Sequence, residues 1–185
     1  MSKDLLLEIG TEEIPAHFMP AILKQLKEKA EAKFSELHID FAEVKTYGTP
    51  RRIALFIKEL AKKQADISTE HKGPSIKIAF DADHNPTKAA IGFARGTNLA
   101  VDQLTVKDAY VYAAVHEQGQ RTVELLPSIL PQLIEDLSFP KNMRWGNLDF
   151  RFVRPIRWIV ALLGDEVIPF TIANVHSGNK TRGHR

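Results

Sequence analysis

Residues 158–163 are Trp158-Ile159-Val160-Ala161-Leu162-Leu163, an unbroken apolar run. A strand with one wet face alternates polar and apolar residues. A solid run therefore predicts a strand covered on both sides, near the middle of a sheet. Gly164-Asp165 then offers a turn, and Val167-Ile168-Pro169-Phe170 a return strand. Just upstream, Arg144, Arg151, Arg154 and Arg157 fall within fourteen positions, interleaved with Trp145, Phe150 and Phe152. The segment 140–164 thus supplies both a core element and a row of guanidinium groups at its N-terminal edge.

The rest of the chain predicts partners for that strand. Leu5-Leu6-Leu7-Glu8-Ile9 reads as a short strand ended by Gly10. After the polar turn Thr11-Glu12-Glu13-Ile14, Pro15 suits a first helical position. Phe18, Ile22, Leu26, Ala30, Phe34 and Leu37 recur at helical spacing, and Lys24–Glu28 and Lys27–Glu31 can pair on the opposite face. A helix is predicted over about 16–37. Residues 41–47 and 52–57 read as strands of a hairpin around Gly48-Thr49-Pro50. Beyond it, 61–75 reads as a charged connection. Thr87 or Asn85 can cap a helix that runs through Arg95 and stops at Gly96. Residues 110–116 read as a strand, and 122–137 as a helix that Pro127 and Pro131 must kink or split. Thr171 to Val175 reads as a last strand. The expected fold class is α+β, a mainly antiparallel sheet packed by amphipathic helices. Residues 1–185 read as a fragment of something longer, with subdomains at about 1–65 and 66–185 as one division.

Several chemistries are excluded by residue type and spacing. The chain has no cysteine, which removes disulfides, thiolate catalysis and cysteine zinc sites. Asp81, Asp83 and Asn85 open like a calcium loop. Pro86 then stands where glycine is needed, and Gly92 where the bidentate glutamate is needed. The histidines show no H-x-x-x-H pairing, and there is no glycine-rich phosphate loop. No stretch has the length and apolarity of a membrane span or a secretory signal, so a cytoplasmic location is expected. Glu8, Glu12 and Glu13 can be read as paired carboxylates for acid–base work or as a solvated helix start.

Charge is unevenly placed. Net charge is +2, but residues 140–185 carry 8 Lys/Arg against 3 Asp/Glu, and the part before them is net negative. An arginine-rich excess mixed with aromatics is the footprint of a phosphate-backbone partner. Arg144, Arg151, Arg154 and Arg157 are the candidate contacts. Lys141, Arg51, Arg52, Arg182 and Arg185 widen the patch if the fold brings the ends together. At most one of the four central arginines is expected in a buried ion pair, with Glu8 or Asp149 as candidate acids.

Seven blocks, in order, carry a family resemblance: 7–15 (LEIGTEEIP), 49–55 (TPRRIAL), 72–74 (KGP), 86–96 (PTKAAIGFARG), 141–146 (KNMRWG), 152–157 (FVRPIR) and 181–185 (TRGHR). The chain resembles the N-terminal part of the β chain of the bacterial heterotetrameric glycyl-tRNA synthetase. That resemblance implies an α2β2 enzyme that joins glycine to tRNA-Gly with ATP and Mg, the active site lying on the separate α chain. It implies that the β chain contributes tRNA binding. No catalytic, cofactor or metal residue transfers to this chain, so the nine basic residues named above become candidate tRNA contacts. Two other roles remain open. One is an editing-like hydrolytic domain using Glu8, Glu12, Glu13 and His184; the other is a scaffold that docks the α chain.

Overall fold

A computed structural model describes residues 2–81, 85–144 and 149–183. In chain order the elements are β1 (Lys3–Thr11), a 3-10 turn (Ala16–Phe18), α1 (Met19–Glu36), β2 (Glu43–Thr49) and β3 (Arg52–Leu60). There follow β4 (Ile67–Ser75), α2 (Ile76–Ala79), α3 (Lys88–Gly96), β5 (Thr105–Lys107) and β6 (Tyr110–Glu117). The chain ends with α4 (Thr122–Glu135), β7 (Ile156–Leu163), β8 (Glu166–Val167), β9 (Thr171–Ile172) and β10 (Val175–Gly178). The fold is α+β, and its main sheet is mostly antiparallel. Residues 1–65 and 120–185 form one compact unit, and residues 66–119 a second.

The first unit is built on a seven-stranded sheet ordered β2-β3-β1-β7-β10-β9, with β8 paired to β7. β1 lies between β3 and β7, antiparallel to both. Its register explains which residues are dry. Leu7 faces Leu55 on one side and Ala161 on the other, and alternate residues share a face. Leu5, Leu7 and Ile9, Ile53, Leu55 and Ile57, and Ile159, Ala161 and Leu163 all join one buried cluster. The same cluster takes Ile22, Leu26, Ala30 and Phe34 of α1, a stripe spaced four apart, and Leu126, Ile129, Leu130, Leu133 and Ile134 of α4. Both helices therefore cover the odd-numbered face of β1. Burying each of the Leu, Ile and Phe side chains stabilises the fold by about 1.5–3 kcal/mol.

The even-numbered face is different. It carries Leu6, Glu8 and Gly10 of β1, Arg52, Ala54 and Phe56 of β3, and Trp158, Val160 and Leu162 of β7. Leu6, Phe56, Trp158 and Leu162 are only half-buried and stand outside the apolar clusters. The run 158–163 is thus central in the sheet, as its apolarity predicts, but among the described residues the helices α1 and α4 cover only its other face. Val160 is nevertheless buried there.

Other local expectations are refined. Gly10 does not end β1, which continues to Thr11. Gly164 turns the chain after β7 with a φ of 60°; Glu166 and Val167 of the return segment pair with β7, and the Ile168 amide still donates to Ala161 O at 3.0 Å. The last segment is a tight hairpin, not one strand, because Ala173 and Asn174 both adopt positive φ between β9 and β10. A single helix, α4, contains both Pro127 and Pro131. The expected ion pairs of α1 form, Lys24–Glu28 and Lys27–Glu31, each at 3.8 Å.

The second unit holds a three-stranded sheet ordered β4-β6-β5. Here the expectation of a plain connection over 61–75 is wrong, because Ile67–Ser75 is an edge strand paired along β6. Its exposed Ser68, Thr69, Glu70, His71 and Lys72 gave no apolar alternation to read. Thr87 caps α3 by accepting the Ala89 amide at 3.2 Å. Its small core is Ala79, Ala90 and Val111 with Phe80, Phe93 and Leu104.

Candidate nucleic-acid interface

The antiparallel order of β3, β1 and β7 brings the end of β1 and the starts of β3 and β7 to one edge of the sheet. The loop after β1 is stitched across that edge by main-chain bonds. The Thr11 amide donates to Arg51 O at 2.9 Å, Glu12 to Pro155 O at 3.0 Å, and Ile14 to Pro50 O at 2.6 Å. Above the edge opens a cleft of about 1250 Å³. Its walls are the loop residues Thr11, Glu12 and Glu13, the hairpin Thr49, Pro50, Arg51 and Arg52, and Arg157, Trp158, Thr181, Arg182 and Gly183.

One row of residues sets the floor. Gly10 faces Arg52 on β3 and Trp158 on β7, so the three lie side by side on the half-open face. The indole lies over Gly10: a Cβ there would fall 2.0 Å from Trp158 Cδ2 and Cε2. Only glycine leaves that space. Trp158 Nε1 donates to Glu8 Oε1 at 2.7 Å, and Thr181 Oγ1 donates to the same oxygen at 2.5 Å. The other Glu8 oxygen lies 3.5 Å from Arg52 Nε. Glu8 is buried, so its charge is held by these three groups. The Arg52 guanidinium also donates to the carbonyl of Arg182. Arg52 and Arg182 each place their guanidinium carbon 5.8 Å from the Trp158 ring centroid, within cation–π range.

The remaining acids of the cleft also face arginines. Arg157 Nε is 3.2 Å from Glu12, and an Arg51 guanidinium nitrogen is 3.9 Å from Glu13. These four side chains are 41–71% exposed, so solvent screens both pairs and an incoming anion can compete with the carboxylates. The cleft therefore presents guanidinium groups around an indole, with carboxylates alternating among them.

The family model described as Glycyl-tRNA synthetase beta subunit matches residues 5–185. The chain belongs to that family. It is 54% identical over 189 residues to the "Glycine--tRNA ligase beta subunit" of Desulfitobacterium hafniense (strain Y51), covering all of this chain and 27% of that protein. It is 54% identical over 190 residues to the protein of the same name from Bacillus subtilis (strain 168), again over all of this chain and 28% of the relative. The chain spans little more than a quarter of the length of these curated relatives. The resemblance carried by the seven motifs thus holds along the whole sequence.

Within this member of the glycyl-tRNA synthetase beta subunit family, the nine basic candidates separate into groups. Arg51, Arg52, Arg157 and Arg182 come together around the cleft. Arg154 sits behind it, half-buried, donating through Nε to Glu13 O at 2.9 Å and through a terminal nitrogen to Val153 O at 2.9 Å. It braces the loop that carries Glu12 and Glu13. Arg144 lies 3.5 Å from Asp149 with both side chains exposed, and Arg151 and Lys141 are exposed and do not line the cleft. Arg185, with His184, Trp145 and Gly146, lies outside the described residues. Among the described residues none of the four central arginines makes a buried ion pair; the arginine facing Glu8 is Arg52. Trp158 and Thr181 were not legible as site residues. The signal for Trp158 is a bulky aromatic directly across from a glycine, and only the pairing register reveals it.

No helix among the described residues is long and apolar enough to cross a membrane.

Proposed function

We propose that this chain is a non-catalytic module of the glycine–tRNA ligase β chain that binds tRNA-Gly through the arginine-lined cleft. The observation that carries this reading is the convergence of Arg51, Arg52, Arg157 and Arg182 around Trp158. Guanidinium groups suit phosphate because each donates two parallel hydrogen bonds, and an aromatic floor suits bases. The whole enzyme is then a cytoplasmic α2β2 ligase that glycylates tRNA with ATP and Mg at the α chain. The described residues of this chain contain no group of three His, Asp or Glu placed to hold a metal ion. The editing-like reading is less well supported, since Glu8, Glu12 and Glu13 each face an arginine instead of one another.

Assembly with the α chain is the second role. It is favoured by the half-open sheet face, where Leu6, Phe56 and Leu162 are half-buried and Tyr47 of the neighbouring strand is 56% exposed.

The test is tRNA-Gly affinity across a salt series. Neutralising about four phosphates gives a log–log slope near −4. Affinity that is flat with salt, or absent, would overturn the RNA reading. In the same preparation, glycine-dependent pyrophosphate exchange should be undetectable; measurable exchange would place the chemistry on this chain.

A further inference from the structure

We propose that Trp158 is the seat for one unpaired nucleobase, with Arg182 closing over it and Arg51 and Arg157 holding flanking phosphates. This inference rests on the RNA reading above and deepens it. It specifies unpaired rather than duplex RNA.

Three observations point to a base. First, the indole is fixed before any ligand arrives. Gly10 lies beneath it and Glu8 holds its Nε1 at 2.7 Å, so stacking loses little side-chain freedom. The ring is only half-buried and lines the cleft. Second, two guanidinium groups stand 5.8 Å from its ring centroid. Arg52 is tied to Glu8 and to the Arg182 carbonyl. The Arg182 side chain is exposed and pairs with no acid among the described residues, so it is the group that can lift and fold over a stacked base. A base stacked between ring and guanidinium requires the Arg182 side chain to move outward, which its exposure allows. Third, the recess suits an extruded base. Duplex RNA presents phosphates and groove edges and hides its base faces, so exposed arginines alone would serve it. The indole adds a π-face that only an unpaired nucleotide can use. Such a seat tolerates every base, because each has a π-face, and it reads single-strandedness rather than sequence.

The experiment uses the 185-residue chain in a Trp145→Phe background, which leaves Trp158 as its one tryptophan. A short oligoadenylate should quench the fluorescence, and a short RNA duplex should not. Read with a dye-labelled oligoadenylate, Trp158→Leu should weaken single-strand binding about 5- to 150-fold, well beyond its effect on the duplex. If Trp158→Leu does not fold, Arg182→Ala serves in its place. It keeps the main-chain carbonyl that Arg52 uses, and it should weaken the oligoadenylate about fivefold. Equal quenching by duplex and single strand, or a loss below twofold in the folded variants, would overturn the seat. So would quenching by the α chain with none by oligoadenylate, which would assign the ring to a protein interface. If tRNA still binds with a steep salt slope while the seat fails, the cleft arginines bind RNA without it. If no RNA binds at all, both readings fall.

Discussion

Gly10 and Glu8 decide where Trp158 can be. A methyl group on Gly10 would fall inside the indole, so Gly10→Ala must push the ring off the sheet. Overpacking of this kind costs about 1–3 kcal/mol. Denaturant unfolding should show that loss, and a Trp158→Ala partner mutation should recover part of it. Additive losses in that double-mutant cycle would mean that the two residues do not press on each other. Glu8→Ala removes the acceptor for Trp158 Nε1 and Thr181 Oγ1 and leaves Arg52 facing no carboxylate. We expect a cost of about 3 kcal/mol, and Glu8→Gln should cost less because it keeps an acceptor oxygen. Equal losses in the two variants would show that the hydrogen bonds contribute little. From sequence, Glu8 was one of three acids near a helix start. Its role depends on residues 150 and 173 positions away, which no local pattern contains.

Elements with strong periodicity were legible. The four-residue repeat of Ile22, Leu26, Ala30 and Phe34 specifies α1, and the hairpin of β2 and β3 follows from its turn residues. The run 158–163 placed β7 at the sheet centre. β4 was missed because its polar edge hides the period of two. α4 was harder because local and global terms oppose each other. Each proline deletes one main-chain hydrogen bond, yet the apolar stripe from Leu126 to Ile134 is buried in the main core and holds one helix. Pro131→Ala should therefore restore an amide donor and raise stability by about 1 kcal/mol, after allowing for the freer unfolded chain. A lowered denaturation midpoint would show instead that the half-buried proline ring packs usefully.

At the scale of the first unit, the cleft exists because three strands of distant sequence end at one edge. Sequence reading named all four cleft arginines among its nine candidates but could not separate them from the others. It weighted the run from Arg144 to Arg157, where the arginines are close in sequence. The fold instead unites Arg51 and Arg52 with Arg157 and Arg182, drawn from three separate segments. Arg154, central in that run, braces the loop after β1, and Arg144 and Arg151 do not line the cleft. The difference between the two sets is the most direct test of the account. tRNA-Gly affinity should be measured across one salt series for the wild-type chain, for Arg51→Ala/Arg157→Ala and for Arg144→Ala/Arg151→Ala. The cleft pair should flatten the log–log slope by about 2 and weaken binding at low salt, while the outlying pair changes the slope by less than about 1. Equal slopes for the wild type and the cleft pair, with the fold intact, would contradict the claim that this cleft binds RNA.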